Sequence, residues 1–245
     1  IFYLFFVCLM LVKSVSAQQK NVFERPSAWL GLFNQTRITS KWGTWLDIHT
    51  RSVDDDGFKP DVLIFRPGLA YYLKDNLRVM AGYAYVQFFA PTGRNTNWHE
   101  HRPWQQIWWR QDYNGYQTIQ WLRLEERYVR RVDKDTLTSH YRFNYRFRYN
   151  FSLNIPLTSK KVEPKVPYIV IQDELFINMG RQVGLNIFDQ NRFFVGLGYM
   201  IKPSWNINLG YMNLYQQRPN GTDFNYYHTV RLFVFHSLDL RKKDQ

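Results

Sequence analysis

The chain has 245 residues, a formal net charge of +12 and one cysteine, Cys8. A single cysteine excludes a disulfide framework and a thiolate metal site. Aromatic residues make up 18% of the chain although its mean hydropathy is −0.46, a pairing that is unusual for a water-soluble globule.

The N-terminus carries an apolar run of 12 residues, Ile1 to Val12, which is too short to span a bilayer as a helix. Small residues at Val15 and Ala17 fit a cleavage site, so residues 1–17 are predicted to be a secretory signal peptide and 18–245 one domain. A buried N-terminal helix is the alternative. A secreted chain rarely meets nucleic acid, so the positive charge favours anionic solutes or an acidic surface as partners.

The rest of the chain breaks into segments of alternating polarity separated by turn residues, and no segment has the period of an amphipathic helix. Strands are predicted near 27–38, 41–52, 61–73, 76–89, 99–112, 115–130, 137–154, 166–178, 192–202, 204–216 and 226–239. Bacterial single-chain barrels have even strand numbers. About twelve strands are therefore expected, with a missed one near 21–24, and ten is the alternative.

Short and long connections largely alternate along the chain. Thr39-Ser40, Lys74–Asn76, Asn114-Gly115 and Pro203-Ser204 are short, whereas 53–60, 90–98, 179–191 and 217–225 are long. This rhythm is typical of an up-and-down outer-membrane barrel, with short periplasmic turns and long outer loops. The segment 155–165, with three lysines and two prolines, is long where a short turn is due.

Residues 141–153 alternate strictly between apolar and polar side chains. Tyr141, Phe143, Tyr145, Phe147, Tyr149, Phe151 and Leu153 fall on one face, and Arg142, Asn144, Arg146, Arg148, Asn150 and Ser152 fall on the other. Since side chains alternate across a strand, one face is apolar and the other carries three arginines. In a membrane barrel the apolar face contacts lipid and the charged face lines the lumen.

The same alternation sorts charge on the other strands. The arginines predicted to face inward are Arg51, Arg66, Arg78, Arg102, Arg110, Arg123, Arg127, Arg142, Arg146, Arg148, Arg192 and Arg231, and the carboxylates are Asp47, Glu100, Asp112, Glu125 and Glu174. Inward charge must be paired or hydrated, so Glu100, Glu125 and Glu174 are predicted to neutralise a lumen network of arginines. Asp173 and Glu126 fall in the outward register, which requires a position near an interface or a bulge.

A soluble two-sheet sandwich or periplasmic barrel would show the same alternation. Strands of about 12 residues exceed the usual length in globular sheets and favour the membrane barrel.

Several segments occur in an order that resembles a known family: Leu122–Arg127, Arg142–Arg146, Asp173–Asn178, Phe188–Arg192 and Gly196–Tyr199. The chain resembles the secreted β-barrel family catalogued as domain of unknown function twenty-four-ninety, found in Gram-negative bacteria of the Bacteroidota type. The run Phe188-Asp189-Gln190-Asn191-Arg192 is the most specific part. The resemblance implies an outer-membrane-type barrel and no established activity.

Few residues form a pattern that predicts a metal site or a catalytic site. His99 and His101 share a strand face, but no third metal ligand is identifiable, so a polar rim is favoured over a metal site. Ser139-His140 and His236-Ser237 contain nucleophile and base types, yet neighbouring strand residues face opposite ways and no nucleophile-elbow motif is present. No catalytic residue, metal or cofactor is therefore expected.

Two loop segments have both a functional and a structural interpretation. Asp189, Gln190 and Asn191 either form an inward-folding loop that binds a polar ligand, or a turn that satisfies local backbone groups while Arg192 joins the lumen network; the turn is favoured. Asp54, Asp55 and Asp56 could bind a divalent cation at the lipopolysaccharide layer, although an acidic loop is more often simply solvated.

The sequence thus predicts a non-enzymatic barrel of the outer membrane, surrounded by lipid and lipopolysaccharide, with an arginine-rich lumen. That lumen is either a passive pore for small anionic solutes or a filled, structural interior. The alternative is a barrel enzyme that acts on lipid or lipopolysaccharide.

Overall fold

The computed structural model describes residues 20–54 and 57–241, so the predicted signal peptide and Asp55 and Asp56 lie outside the described residues. It consists of eleven strands: β1 (Asn21–Arg37), β2 (Trp42–Asp54), β3 (Phe58–Lys74), β4 (Leu77–Phe88), β5 (Trp98–Tyr113), β6 (Tyr116–Asp133), β7 (Thr136–Pro156), β8 (Pro167–Met179), β9 (Phe188–Lys202), β10 (Trp205–Gln217) and β11 (Asp223–Asp239). Within the described ranges no helix is long and apolar enough to cross a membrane.

The eleven strands form one closed barrel, which confirms the predicted all-β, up-and-down fold. Consecutive strands pair in antiparallel fashion, and the barrel closes where β1 pairs with β11 in parallel, from Asn21 opposite Asp223 to Arg37 opposite Asp239. The count is one below the expected twelve because residues 21–24 extend β1 and do not form a separate strand. A parallel closure permits this odd number.

The connections separate the barrel into two rims. The short-turn rim carries 38–41, 75–76, 114–115 and 203–204, together with the long segment 157–166. The long-loop rim carries Gly57 before β3, 89–97, 134–135, 180–187 and 218–222. The predicted rhythm is present in part: 89–97, 180–187 and 218–222 are long, but 134–135 is a short turn on the same rim, and the exceptional 155–165 segment lies on the short-turn side. β11 ends at the short-turn rim, whereas β1 begins at the long-loop rim.

The barrel has inverted polarity, with charge inside and apolar side chains outside. Buried charged side chains include Asp47, Arg66, Arg78, Arg102 and Arg231. Exposed apolar side chains occupy the outer middle of the strands: Leu30, Leu32, Ile48, Leu63, Phe65, Leu69, Ile107, Phe147, Phe151, Leu175, Phe193, Val195, Leu197, Leu209 and Val230. Tyr85 and Tyr128 are exposed nearer the long-loop rim, Trp42, Tyr116 and Tyr199 nearer the short-turn rim, and Tyr83, Tyr145 and Tyr211 close to mid-strand.

Two apolar clusters fill the inner wall on either side of the charged residues. One is built on β3, β4 and β5 around Ile64, Met80 and Trp104. The other joins β1 to β8–β11 around Tyr168 and Phe194. The interior is therefore packed by side chains from opposite walls, and the charged groups lie between them.

Candidate functional site

Charged side chains from β5 to β9 meet inside the barrel in a connected network that we term the charge layer. Its members are Glu100, Arg102, Arg123, Glu125, Arg127, Arg146, Arg148, Glu174, Asp189 and Arg192. They come together because inward positions recur every second residue and the register aligns them: Glu125 lies opposite Arg146, and Glu174 opposite Arg192.

Glu125 is the centre of the layer. Arg146 donates from Nε and Nη2 to its Oε2, at 2.9 and 2.6 Å, and Arg148 donates from Nη1 to its Oε1 at 2.6 Å. Nη1 of Arg102 and Nη1 of Arg123 lie 3.8 Å from the same carboxylate. Glu125 is fully buried, so four guanidinium groups replace the water that its charge would otherwise need.

Two further carboxylates extend the layer along the sheet. Glu100 accepts hydrogen bonds from Arg102 Nε at 2.6 Å and from Arg127 Nε and Nη2 at 2.8 and 2.9 Å. Glu174 accepts from Arg148 Nε at 2.8 Å, and Arg192 Nη1 lies 3.6 Å from its other oxygen. Such charge-assisted, forked contacts fix the guanidinium planes as well as the charges.

Asp189 joins the layer through a β-bulge. Phe176 pairs with Gln190 and Ile177 with Phe188, so Asp189 is an extra residue in β9. Both Asp189 and Gln190 are buried, and Asp189 accepts from Arg146 Nη1 at 2.9 Å. The favoured prediction of a turn at 189–191 was therefore wrong about local structure, because the bulge keeps the segment in the strand while directing an additional carboxylate inward.

The structure places most, but not all, of the predicted network together. Arg142 is half-buried on β7 toward the long-loop rim, and within the described chain no carboxylate lies within ion-pair distance of it. Asn191 faces outward and donates to Asp173 at 2.8 Å. Glu126 also faces outward, next to Gln105. The two carboxylates of the outward register thus have amide neighbours.

A tryptophan fills the space beside the charge layer. Trp104 is fully buried, and it fits because Gly68 and Gly82 lie opposite each other on β3 and β4. A Cβ atom at either glycine would lie 2.6 or 2.8 Å from the indole ring. Gly196 and Gly210 make the same kind of room for Phe194 on the other wall. These glycine pairs were not foreseen as functional, since pairing across strands depends on a register that the sequence does not display.

The charge layer and Trp104 divide the lumen into two chambers. A chamber of about 220 Å³ lies toward the long-loop rim, and one of about 970 Å³ opens at the short-turn rim. Trp29, Arg148 and Arg192 line both. A continuous water-filled passage would expose the side chains between the chambers, yet Glu125 and Trp104 are 0% exposed and Arg192 only 8%. The lumen is therefore filled at its middle in this conformation.

The histidine pair lies on the outer surface. His99 contacts the Tyr141 hydroxyl at 3.1 Å, and His101 contacts that of Tyr83. Of the residues that the structure describes, no three His, Cys, Asp or Glu side chains are grouped so as to hold a metal ion. The histidines instead belong to an aromatic cluster near the long-loop rim.

The two serine–histidine dipeptides lie on strands at opposite rims. Ser139 Oγ and His140 Nδ1 approach to 3.4 Å, closer than the expected opposite orientation would allow, but both side chains are exposed. His236 contacts Asn34 through Nδ1 at 2.9 Å. In the described part of the chain no carboxylate contacts either ring, so neither pair has the orienting group of a catalytic triad.

Comparison with known proteins adds one result. Neither the curated proteins nor the solved structures contain a match to this chain. A family model with the description "Protein of unknown function (DUF2490)" matches residues 27–225, which span the barrel from β1 into β11. The chain therefore belongs to this family of unknown function, as the order of its motifs predicted.

Proposed function

We propose that the protein is a non-enzymatic barrel of the outer membrane whose lumen is closed by the charge layer, and that it serves as a binding or structural barrel and not as a passive pore. The observation that carries the proposal is the inverted polarity. Arginines and carboxylates are buried on the inside of the barrel wall, and a belt of leucine, isoleucine, valine and phenylalanine is exposed on its outside.

Inverted polarity is costly in water and favourable in lipid. A soluble monomer rarely exposes a contiguous apolar surface of more than a few hundred Å². An apolar belt that encircles the barrel is favourable in contact with lipid hydrocarbon. The described strands form a closed sheet, which leaves no unpaired backbone edge in the lipid. The proposal therefore assigns lipid to the outer face.

Strand length and aromatic placement support the same assignment. The strands contain 12 to 21 residues, more than the roughly 9–11 that a tilted strand needs to cross the hydrocarbon. Exposed Tyr85 and Tyr128 lie toward one rim and Trp42, Tyr116 and Tyr199 toward the other, where amphipathic rings favour the membrane–water interface. Short turns are typical of the periplasmic side, so we assign the short-turn rim to the periplasm.

Closure distinguishes this barrel from an anion pore. An arginine-lined passage would favour anions, but the arginines of the charge layer are occupied by Glu100, Glu125, Glu174 and Asp189. Opening a passage would require these buried pairs to separate, which leaves charges without partners. We therefore favour a filled interior over the porin-like alternative.

The experiment combines membrane insertion with conductance. The purified chain, refolded with lipid vesicles, should migrate faster in gels when unheated and should resist protease, because an inserted barrel stays folded in detergent. In planar bilayers the inserted protein should give no steady conductance. A chain that stays soluble and monomeric without detergent would overturn the membrane assignment. Anion-selective conductance steps would overturn the closed lumen but leave the membrane assignment standing.

The enzymatic alternative is tested separately. We expect no release of fatty acid from phospholipid or lipid A by the inserted protein. Release that is abolished in Ser139→Ala, while Ser237→Ala remains active, would instead make the Ser139–His140 contact catalytic.

A further inference from the structure

The chamber at the short-turn rim contains more buried positive charge than its walls neutralise. Six buried arginines line it, against two buried carboxylates, Asp47 and Glu174. Asp47 pairs with Arg66 at 3.3 Å, and Glu174 is shared between Arg148 and Arg192. Of the remaining three, Arg123 lies 3.8 Å from Glu125, whereas Arg78 and Arg231 have no carboxylate within ion-pair distance among the described residues.

Arg78 is one of these arginines. It is 4% exposed, and within the described ranges no carboxylate lies within 4 Å of it. Its guanidinium lies 3.8 Å from the Trp108 ring and 5.8 Å from the Tyr72 ring. Its Nε has no hydrogen-bond partner. Stacking on Trp108 covers one face of the guanidinium, so the in-plane N–H groups that do not bond to Tyr72 remain available to a ligand.

Arg231 provides a second such group on the opposite wall. It lies 3.4 Å from the Phe194 ring and donates to the amide of Gln172 at 2.9 Å, so its hydrogen-bond partners are neutral. Its Nε is also unpartnered, and the residue is 4% exposed. A buried guanidinium without a counter-charge is unfavourable unless an anion or water compensates it.

The walls between these arginines are aromatic. Phe33, Trp45, Trp108, Trp121 and Phe235 line the cavity, whose 970 Å³ lies within the size range of small-molecule sites. Flat apolar walls with a few charged donors bind a flat apolar body that carries an anionic group.

The segment 157–166 partly covers the mouth of this chamber. The Gly115 amide donates to the Lys160 carbonyl at 3.0 Å, which fixes the segment across the adjacent turn. Val162 packs against the second apolar cluster, and Lys161 lines the cavity. The segment thus adds a cation at the entrance and narrows it.

We propose that this chamber binds a small aromatic carboxylate, with the carboxylate held by Arg78, the ring held against the aromatic walls, and Arg231 adding positive charge from the opposite wall. The proposal deepens the proposed function, since it requires the closed barrel, although it does not require a particular membrane.

The test uses isothermal titration of the full chain, folded in detergent, with 2-naphthoate and with its neutral counterpart 2-naphthalenemethanol. We expect saturable binding of 2-naphthoate and binding at least about tenfold weaker for the alcohol, the factor typical of a hydrogen bond to a charged group. Arg78→Gln should remove that preference, and Arg231→Gln should reduce it. Arg142→Gln, which lies toward the other rim, is the matched control and should retain it.

Equal affinity for the two probes, or an unchanged preference in both chamber variants, would mean that water alone compensates the arginines and would overturn the proposal. If the glutamine variants fail to fold, added sodium chloride provides a second measurement on the unmodified protein. Salt should weaken 2-naphthoate and leave the alcohol unaffected, and the absence of this difference contradicts the site. An inserted, heat-modifiable barrel that binds neither probe would defeat this proposal and leave the proposed function standing.

Discussion

Glu125 and Arg146 lie directly opposite each other on β6 and β7, and two nitrogens of the arginine donate to one oxygen of the carboxylate. The other oxygen accepts from Arg148, so one buried carboxylate restrains two arginines of the neighbouring strand. Removing its charge would leave Arg146 without its main partner and Arg148 with Glu174 as its remaining partner. We therefore expect Glu125 to be a sensitive position of the interior.

Glu125→Gln should therefore destabilise the barrel strongly. The loss expected for breaking a buried ion pair is roughly 3–5 kcal/mol in the free energy of unfolding, measured by denaturant titration in lipid vesicles. The control is Asp112→Asn, which breaks the exposed Arg110 pair and should cost less than about 1 kcal/mol. Similar losses for the two variants would contradict a special role for the charge layer.

Leu209→Arg tests which solvent surrounds the barrel. Leu209 is 52% exposed on β10 among outward aliphatic residues. In lipid an arginine there should cost roughly 2–4 kcal/mol of unfolding free energy, whereas Leu137→Arg, beside the 134–135 turn, should cost at most about 1 kcal/mol. If both substitutions prove equally mild in vesicle titrations, the outer belt faces water.

Gly82→Ala tests the packing of Trp104. The added Cβ would lie 2.3 Å from the Pro67 carbonyl oxygen and 2.8 Å from the indole, so we expect a loss of roughly 1–3 kcal/mol in unfolding free energy. The neighbouring Ala81 is exposed on the outer face, and Ala81→Val should change stability by less than about 0.5 kcal/mol. The tryptophan fluorescence of the protein should shift only in the first variant; a tolerated Gly82→Ala would show that Trp104 is not tightly held.

The Asp135 carboxylate in the 134–135 turn connects two loops at the long-loop rim. It accepts from the backbone amides of Asn95 and Thr96 at 2.9 and 3.0 Å, and these bonds hold the pKa of Asp135 below its usual value. Since the folded pKa is lowered, the stabilisation is present above the unfolded pKa of about 3.9 and disappears as pH falls through the folded pKa.

Hydrogen exchange at the Asn95 and Thr96 amides measures this contact. Protection should be high at neutral pH and should decrease in acid, after correction for the intrinsic rate. Asp135→Asn should weaken protection at neutral pH and make it nearly independent of pH. A parallel acid response in Asp135→Asn would assign the effect to another group.

Much of the fold could be predicted because alternation has a fixed period. The inward register of Arg146, Arg148 and Glu125 follows from alternation alone, and so does the outward register of Asp173. Asp189 could not be placed this way, because its bulge breaks the alternation at a single residue.

Other features depend on relations between distant strands. The opposition of Gly68 and Gly82 requires a register between hairpin partners, and the parallel pairing of β1 with β11 joins the two ends of the sequence. Whether the lumen is open or filled depends on how large side chains such as Trp104 meet in three dimensions. The sequence displays none of these relations, which explains why the strand number and the state of the lumen stayed open.

The parallel seam between β1 and β11 has a consequence for the order of assembly. All the other strand pairings join strands that are consecutive in sequence. Across the seam, the buried hydroxyl pair Ser27–Thr229 joins residues that are 202 positions apart. Neighbouring strands can therefore pair one after another as local hairpins. The barrel can close only when β11 pairs with β1, which requires a contact between residues far apart in sequence. Folding should thus proceed through a curled, open sheet, and closure of the seam should be its slowest event.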